Sequence, residues 1–214
     1  MSRRSHVPPR AHAARLSRVA CSSGALAITA LLASATPASA HIGGPTHGFA
    51  DGLLHPLTGP DHLLAMLAVG LIAALVAART PNASISSHVT LPATFVVAMV
   101  IGGALGIAGV TSSLVEVTIA ASVVALGIAV AAANRCATPW ILPLVAAAGL
   151  AHGNAHGIEA PSAVHPVLYV AGFVTATVAL HAIGVLSGTG LTRRPALRLA
   201  VAAVITTAGM LLVA

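Results

Sequence analysis

The stretch HPLTGPDHLLAMLAVG, His55 to Gly70, places two prolines, an aspartate and two histidines directly before a continuous apolar run. Because proline interrupts helices, we expect Pro56 and Pro60 to separate two helical segments. The first segment, about residues 46–57, is too short to cross a bilayer, which takes ~20 residues. Irregular backbone at membrane depth must be shielded from lipid. The stretch therefore predicts a broken first helix, with a half-helix packed against protein before the first full span.

The composition extends this interpretation to the whole chain of 214 residues. It is 57% hydrophobic and only 7% charged, with a mean hydropathy of +0.96, whereas soluble domains carry about 25% charged residues. The apolar runs are continuous, which favours helices over the alternating pattern of a membrane barrel. We predict an all-α, polytopic transmembrane bundle of about six spans plus the half-helix. The spans are expected at residues 60–79, 90–110, 113–133, 139–156, 164–190 and 196–213.

The N-terminus has the pattern of a secretory signal peptide. Five arginines precede a short apolar run at about residues 25–33, and ATPASA ends at Ala40. We predict cleavage after Ala40, so that residues 1–40 are the signal peptide and 41–214 form a single transmembrane domain. An uncleaved membrane anchor is the alternative. Cleavage leaves five arginines against four acids, so the net charge of +6 does not indicate a nucleic-acid partner.

The remaining arginines predict the orientation in the bilayer. Cleavage places His41 outside, and six spans then place both the new N-terminus and the C-terminus on the external, periplasmic side. Arginines occur only in the breaks that this arrangement places inside, as the positive-inside rule requires. They are Arg79, Arg135, Arg193, Arg194 and Arg198.

A first cluster of ionisable residues surrounds the helix break. Asp51 and His55 are four residues apart and share a helical face, and Asp61 and His62 open the next helix. Transporters build ion sites at broken helices, and ionisable groups in membrane segments are functional candidates by default. Helix capping by Asp61 is the alternative, but it explains only that residue. We therefore predict a functional site here.

A second cluster lies in the segment HGNAHGIE. His152, His156 and Glu159 fall at i, i+4 and i+7, on one helical stripe. Two imidazoles and a carboxylate suit nickel, cobalt, copper, zinc or iron, whereas magnesium and calcium prefer oxygen ligands. Histidines that meet lipid headgroups at a helix end are the alternative. Together the clusters predict a transition-metal site.

Three further residues are candidates for the transport path. Glu116 lies near the outer start of the third span and has no basic neighbour in the sequence, although it could be an interfacial residue. His181 lies within the fifth span, where a hydrogen bond to the backbone is the alternative. His41 would offer an amine and an imidazole after cleavage. Of the cluster and path residues in the spans, all but His181 map to the outer half of the bundle, which suggests uptake from outside.

These motifs resemble the HupE/UreJ family of hydrogenase and urease accessory membrane proteins. The resemblance rests on HPLTGPDHLLAMLAVG, VEVTIAASVVALG, HGNAHGIE and LHAIG, and covers essentially the whole mature chain. It implies a permease of the bacterial inner membrane that imports nickel, with cobalt as the alternative, and a functional link to hydrogenase or urease maturation proteins. By this resemblance the transport residues would be His55, Asp61, His62, His152, His156 and Glu159. The family is not uniform in its metal.

Other functions remain open at this point. A membrane scaffold that binds metal without moving it, and a b-type haem protein, would also use paired histidines. An intramembrane metalloenzyme is disfavoured because HEXXH is absent. The chain has no lysine and no Walker loop, so it does not hydrolyse ATP through one. We expect a transporter rather than an enzyme, with the bilayer as its surroundings and the metal ion as substrate, not as a permanent cofactor.

Overall fold

The computed structural model describes residues 48–133, 138–159 and 166–213, and all seven regular elements in these ranges are helices. The all-helical prediction is confirmed. The predicted signal peptide, His41 and Arg135 lie outside the described residues. The helices are α1 Phe49–Thr58, α2 Pro60–Ala77, α3 Ile85–Ile107, α4 Val115–Ala132, α5 Thr138–Glu159, α6 Pro166–Leu191 and α7 Pro195–Val213.

Five of these helices, α2, α3, α4, α6 and α7, are long and apolar enough to cross a membrane. The chain is therefore a multi-pass membrane protein by length and composition. The remaining predicted span corresponds to α5, which has 22 residues. Its second half carries His152, Asn154 and His156, which make it more polar than the other five. Two of these three residues, His152 and His156, are candidate ligands in the sequence analysis.

The helix break differs in detail from the prediction. Pro56 lies inside α1 and is fully buried, so it does not separate the segments. A proline near the end of a short helix removes only one backbone hydrogen bond, here from the end of α1. The break consists of Gly59, which has extended dihedrals of −86° and 111°, and Pro60 follows as the first residue of α2. Proline is well tolerated at this position because its missing N–H needs no partner.

α2 is the central helix of the bundle. Over an 18-residue stretch, 72% of the residues of α2 are buried inside the protein, compared with 28–39% of those in the other four apolar helices. A helix that is apolar on every side is expected in the interior rather than at the lipid surface. The residue that begins the buried part of α2 is His62, so the first cluster is carried directly into the core.

Glycines set the close contacts between helices. A Cβ at Gly153 in α5 would overlap the carbonyl oxygen of Met99 in α3, and one at Gly106 would overlap that of Asn154. The same kind of contact joins α2 to α6, where Gly70 meets the backbone of His181. Small residues allow membrane helices to pack backbone against backbone. These contacts fix α5, which carries His152 and His156, against α3, and α6, which carries His181, against α2.

The bundle has two chemically different ends. The first, the histidine end, is formed by α1, the start of α2 and the end of α5, where histidine rings meet. The other, the arginine end, contains Arg79, whose Nη1 donates to the carbonyl of Ala133 at 3.3 Å, and the α6–α7 connection with Arg193 and Arg194. Arg79, Arg193 and Arg194 thus lie at the end opposite the cluster of His55, His62 and His156.

Candidate metal centre

The break between α1 and α2 brings two histidines together. The carbonyl of His55 accepts hydrogen bonds from the Thr58 Oγ1–H at 3.0 Å and from the Gly59 N–H at 3.2 Å, which closes α1. The chain then turns at Gly59 and α2 begins at once. As a result, the ring centroids of His55 and His62 lie 5.6 Å apart, although one helix ends and another begins between them.

Asp61 orients the ring of His62. Its Oδ1 accepts the His62 backbone N–H at 2.8 Å and lies 2.6 Å from His62 Nδ1. An ionised carboxylate can only accept, so Nδ1 carries a hydrogen, and the tautomer that this contact selects in a neutral ring has its lone pair on Nε2. Second-shell carboxylates hold metal-binding histidines in this way. The N-cap of α2 is Gly59 rather than Asp61, so the capping alternative is wrong, although Asp61 satisfies one backbone N–H in the first turn and also orients a ligand. We call Asp61 and His62 the carboxylate–imidazole pair.

Gly59 leaves the space that this pair occupies. A Cβ on Gly59 would come within 2.9 Å of both Asp61 Oδ1 and His62 Nδ1. Its backbone dihedrals are open to any residue, so the requirement for glycine is steric rather than conformational. The glycine of the opening motif thus has a role that the sequence pattern alone does not reveal.

α5 delivers two more histidines to the same place. The ring centroid of His156 lies 4.4 Å from that of His62 and 4.7 Å from that of His55, and the His152 ring lies 5.0 Å from His62. These contacts agree with the predicted helical stripe, since residues four apart share one face. The histidines of the two predicted clusters therefore form one cluster in the folded protein.

Three of these residues have the geometry of a metal site. Potential ligand atoms of His55, His62 and His156 all lie within 4.8 Å of one another, and we call these residues the three-histidine group. His62 Nε2 and both ring nitrogens of His156 are buried without hydrogen-bond partners. Leaving a buried polar atom unsatisfied costs about 1–3 kcal/mol. A cation bound by these nitrogens would remove that cost, and imidazole donors fit a first-row transition metal.

The imidazole of His55 is in the neutral form, which is the form that binds a metal ion. Burial, together with the neighbouring His62, lowers the pKa of His55 to about 4, although Asp61 acts in the opposite direction. The ring is therefore neutral at neutral pH and keeps a lone pair for coordination. α1 thus contributes a ligand that does not have to lose a proton before it binds a cation.

His152 lies beside the three-histidine group rather than in it. The ring is fully buried, and its Nδ1 lies 2.9 Å from the carbonyl oxygen of Ala148, to which it donates. Its Nε2 has no partner. A backbone carbonyl can orient a histidine in the same way that a carboxylate does. The His152 ring is thus held in place with an unpartnered Nε2, on the side of His62 that faces the interior of the bundle.

Aromatic residues that the sequence motifs do not include lie beside the histidines of the site. The Phe173 ring lies 4.6 Å from that of His156 and 6.0 Å from that of His55, and Tyr169 lies 6.1 Å from His55. On the opposite side, Phe95 lies 5.8 Å from His152. The chain has only five aromatic residues, and three of them contact histidines. Because aromatic residues are so rare in this chain, their positions were a sequence signal that could have marked these three as part of the site.

The other predicted residues are distributed differently. Asp51 lies in the first turn of α1, one turn before His55, and His181 is buried in α6. Glu116 lies in the first turn of α4 with an exposed side chain. Within the described residues, none of these three belongs to the three-histidine group. Glu159 is the last residue of α5, and its side chain is outside what the structure describes.

The sequence was compared with known proteins. A family profile described as HupE / UreJ protein matches residues 29–212. Protein HupE of Rhizobium leguminosarum bv. viciae is 36% identical over 159 residues, which cover 73% of this chain and 80% of that protein. No solved structure matches the chain. The family match spans nearly the whole sequence and includes every residue of the three-histidine group, and the chain therefore belongs to the HupE/UreJ family.

Proposed function

We propose that this protein imports a divalent transition-metal ion, nickel with cobalt as the alternative, across the bacterial inner membrane. The observation that carries the proposal is the three-histidine group at one end of a membrane bundle. Its unpartnered, buried ring nitrogens are costly unless a ligand occupies the space between them. A bundle of apolar helices that keeps such a group has the chemistry to remove a metal ion from water.

The roles of the site residues follow from their contacts. His55, His62 and His156 would replace water in the coordination shell of the ion, and Asp61 would hold His62 in position. Imidazoles suit nickel and cobalt, although they also suit copper and zinc. The preference for nickel rests on the resemblance of the motifs to the family. That resemblance also supports delivery of the metal to hydrogenase or urease maturation.

The direction of transport rests on the charge asymmetry of the bundle. The described arginines gather at the arginine end, which the positive-inside rule would place in the cytoplasm. The histidine end would then face the periplasm, and both termini would be external. A membrane potential of 100 mV contributes about 2.3 kcal/mol for each charge moved inward, so a divalent ion gains twice that amount. No ATP-binding loop is needed in this scheme.

The test is uptake of radioactive nickel and cobalt by cells that express the full chain. We expect wild-type cells to accumulate at least one metal, His156→Ala to abolish uptake, and Asp61→Asn to reduce it. Asn154→Ala serves as the control on the same helix, because its side chain donates to the carbonyl of Val110 at 2.9 Å and faces away from the cluster contacts. Unchanged uptake in both site variants would refute the site assignment.

Measurements on the purified protein, made beside the uptake experiment, separate transport from binding alone. If purified wild-type protein binds nickel with His156-dependent affinity but cells import neither metal, the protein is a metal-binding scaffold. A visible haem absorbance band in the purified protein would instead favour a b-type haem protein. We propose transport and assign no catalytic reaction to the chain.

A further inference from the structure

A line of aromatic rings leads from the metal centre into the bundle. His62 is followed by His152 at 5.0 Å, then by Phe95 at 5.8 Å, and then by His181 at 5.3 Å, measured between ring centroids. The four rings belong to α2, α5, α3 and α6. Phe95 is the only member of the line that has no nitrogen, and it lies between two histidines.

Both histidines next to Phe95 have buried nitrogens available to a ligand. His152 Nε2 and both ring nitrogens of His181 lack a hydrogen bond of good geometry, although the Thr177 backbone lies near His181. His152 and Phe95 are fully buried, and His181 is 2% exposed. A buried imidazole without a partner is unfavourable beside an apolar ring. A cation or water that visits His181 would satisfy it.

Phe95 and His181 lie at similar distances from a cavity at the arginine end, because Phe95 follows the lining residue His88 by seven positions, or about 10 Å along a helix. That cavity, of about 230 Å³, is lined by the ends of α2 and α6 and by His88 near the start of α3. Thr189, one of its lining residues, follows His181 by eight positions, which corresponds to about 12 Å along a helix. The buried Phe95 ring therefore lies between His152, toward the histidine end, and the half of the bundle that contains this cavity.

We propose that Phe95 is a gate between the outer histidines and His181, and that its ring must move before an ion can pass from His152 to His181. This inference rests on the proposed transport function. A phenyl ring supplies no lone pair, so a fully buried ring on the path excludes water and ions until it moves. The movement belongs to the side chain, because a Cβ at Gly149 would meet the Phe95 carbonyl oxygen, showing that α3 and α5 are in backbone contact there.

The first test measures nickel flux into liposomes that contain the purified full chain. We expect flux to rise severalfold in Phe95→Ala, to rise less in Phe95→Leu, and to fall severalfold in Phe95→Trp. Leu126→Ala is the packing control, because Leu126 is an equally buried side chain in α4 and has no place in the line of rings. Flux that does not follow side-chain size at position 95, in variants that remain folded, would overturn the gate.

The second test does not depend on transport. A His181→Cys variant is made in a chain from which Cys21 and Cys136 have both been removed, and it is sealed into vesicles. A small cationic thiol reagent is then added on the side of the membrane that the histidine end faces. We expect labelling to be at least ten times faster when Phe95→Ala or Phe95→Leu is also present. Equal labelling rates with and without the Phe95 change would overturn the gate. If labelling follows the gate but wild-type flux is absent, only the proposed import fails.

Discussion

Removing the charge of Asp61 tests how the metal centre is assembled. Asp61 Oδ1 accepts the His62 backbone N–H at 2.8 Å and lies 2.6 Å from His62 Nδ1. Asp61→Asn preserves the shape of the side chain but replaces the carboxylate with a neutral amide. The amide no longer favours the tautomer in which Nε2 keeps its lone pair, because an amide can donate as well as accept. The variant therefore leaves all three ligands of the group in place and changes only how one of them is prepared.

The expected effect is a loss of nickel affinity of about 10–100-fold, the range found when second-shell partners of metal ligands are removed. That corresponds to about 1.4–2.7 kcal/mol of binding free energy. The thermal stability should change less, because the lost charge-assisted hydrogen bond is partly offset by the removal of a poorly solvated charge. The two effects can therefore be separated in one preparation.

The assay is calorimetric titration of nickel into purified wild-type and Asp61→Asn protein, with the melting temperature of each measured beside it. Glu116→Gln is the matched control, because it removes an exposed carboxylate from the same end of the bundle. We expect its affinity to stay within about twofold of wild type. An Asp61→Asn affinity equal to that of wild type would refute the claim that Asp61 prepares His62 for the metal.

Further predictions concern the space around the site and the packing that supports it. Gly59→Ala should displace the carboxylate–imidazole pair and weaken nickel binding by about tenfold with little change in melting temperature; unchanged affinity would show that the pair adjusts freely. Gly153→Ala should lower the free energy of unfolding by about 1–3 kcal/mol in a denaturation assay, because the added Cβ overlaps the Met99 carbonyl. Gly190→Ala is the control and should have no such cost, because nothing lies within 4 Å of a Cβ at that position. Asn154→Ala should lose about 0.5–1.5 kcal/mol of stability with its hydrogen bond and keep nickel affinity, so a large loss of affinity would contradict the assignment of the faces of α5.

The sequence predicts the membrane helices well, and it predicts that His152 and His156 share a helical face, because both features depend on local signals. Continuous apolar runs decide where helices form in lipid, and five of the seven helices are apolar enough to span. The spacing of His152 and His156 places them on one face whatever the tertiary fold, and both contact His62 in the structure. Local periodicity is sufficient for these features.

Contacts between helices could not be predicted in the same way. The three-histidine group draws its members from α1, α2 and α5, and no sequence spacing relates His156 to His55. The positions of Phe95 and Phe173 beside histidines depend on backbone contacts set by glycines. The location of the break also depended on context, since Pro56 stays within α1 where the helix ends soon after it.

Nickel flux into liposomes containing only the purified protein is the most direct test of the central claim, that the three-histidine group admits a metal ion to a path across the membrane. An indicator dye trapped inside the vesicles reports the ion, and an inside-negative potential drives it. We predict saturable flux for wild-type protein and background flux for His156→Ala that remains folded. Absence of flux in wild-type protein that binds nickel, or wild-type flux in His156→Ala, would contradict the account.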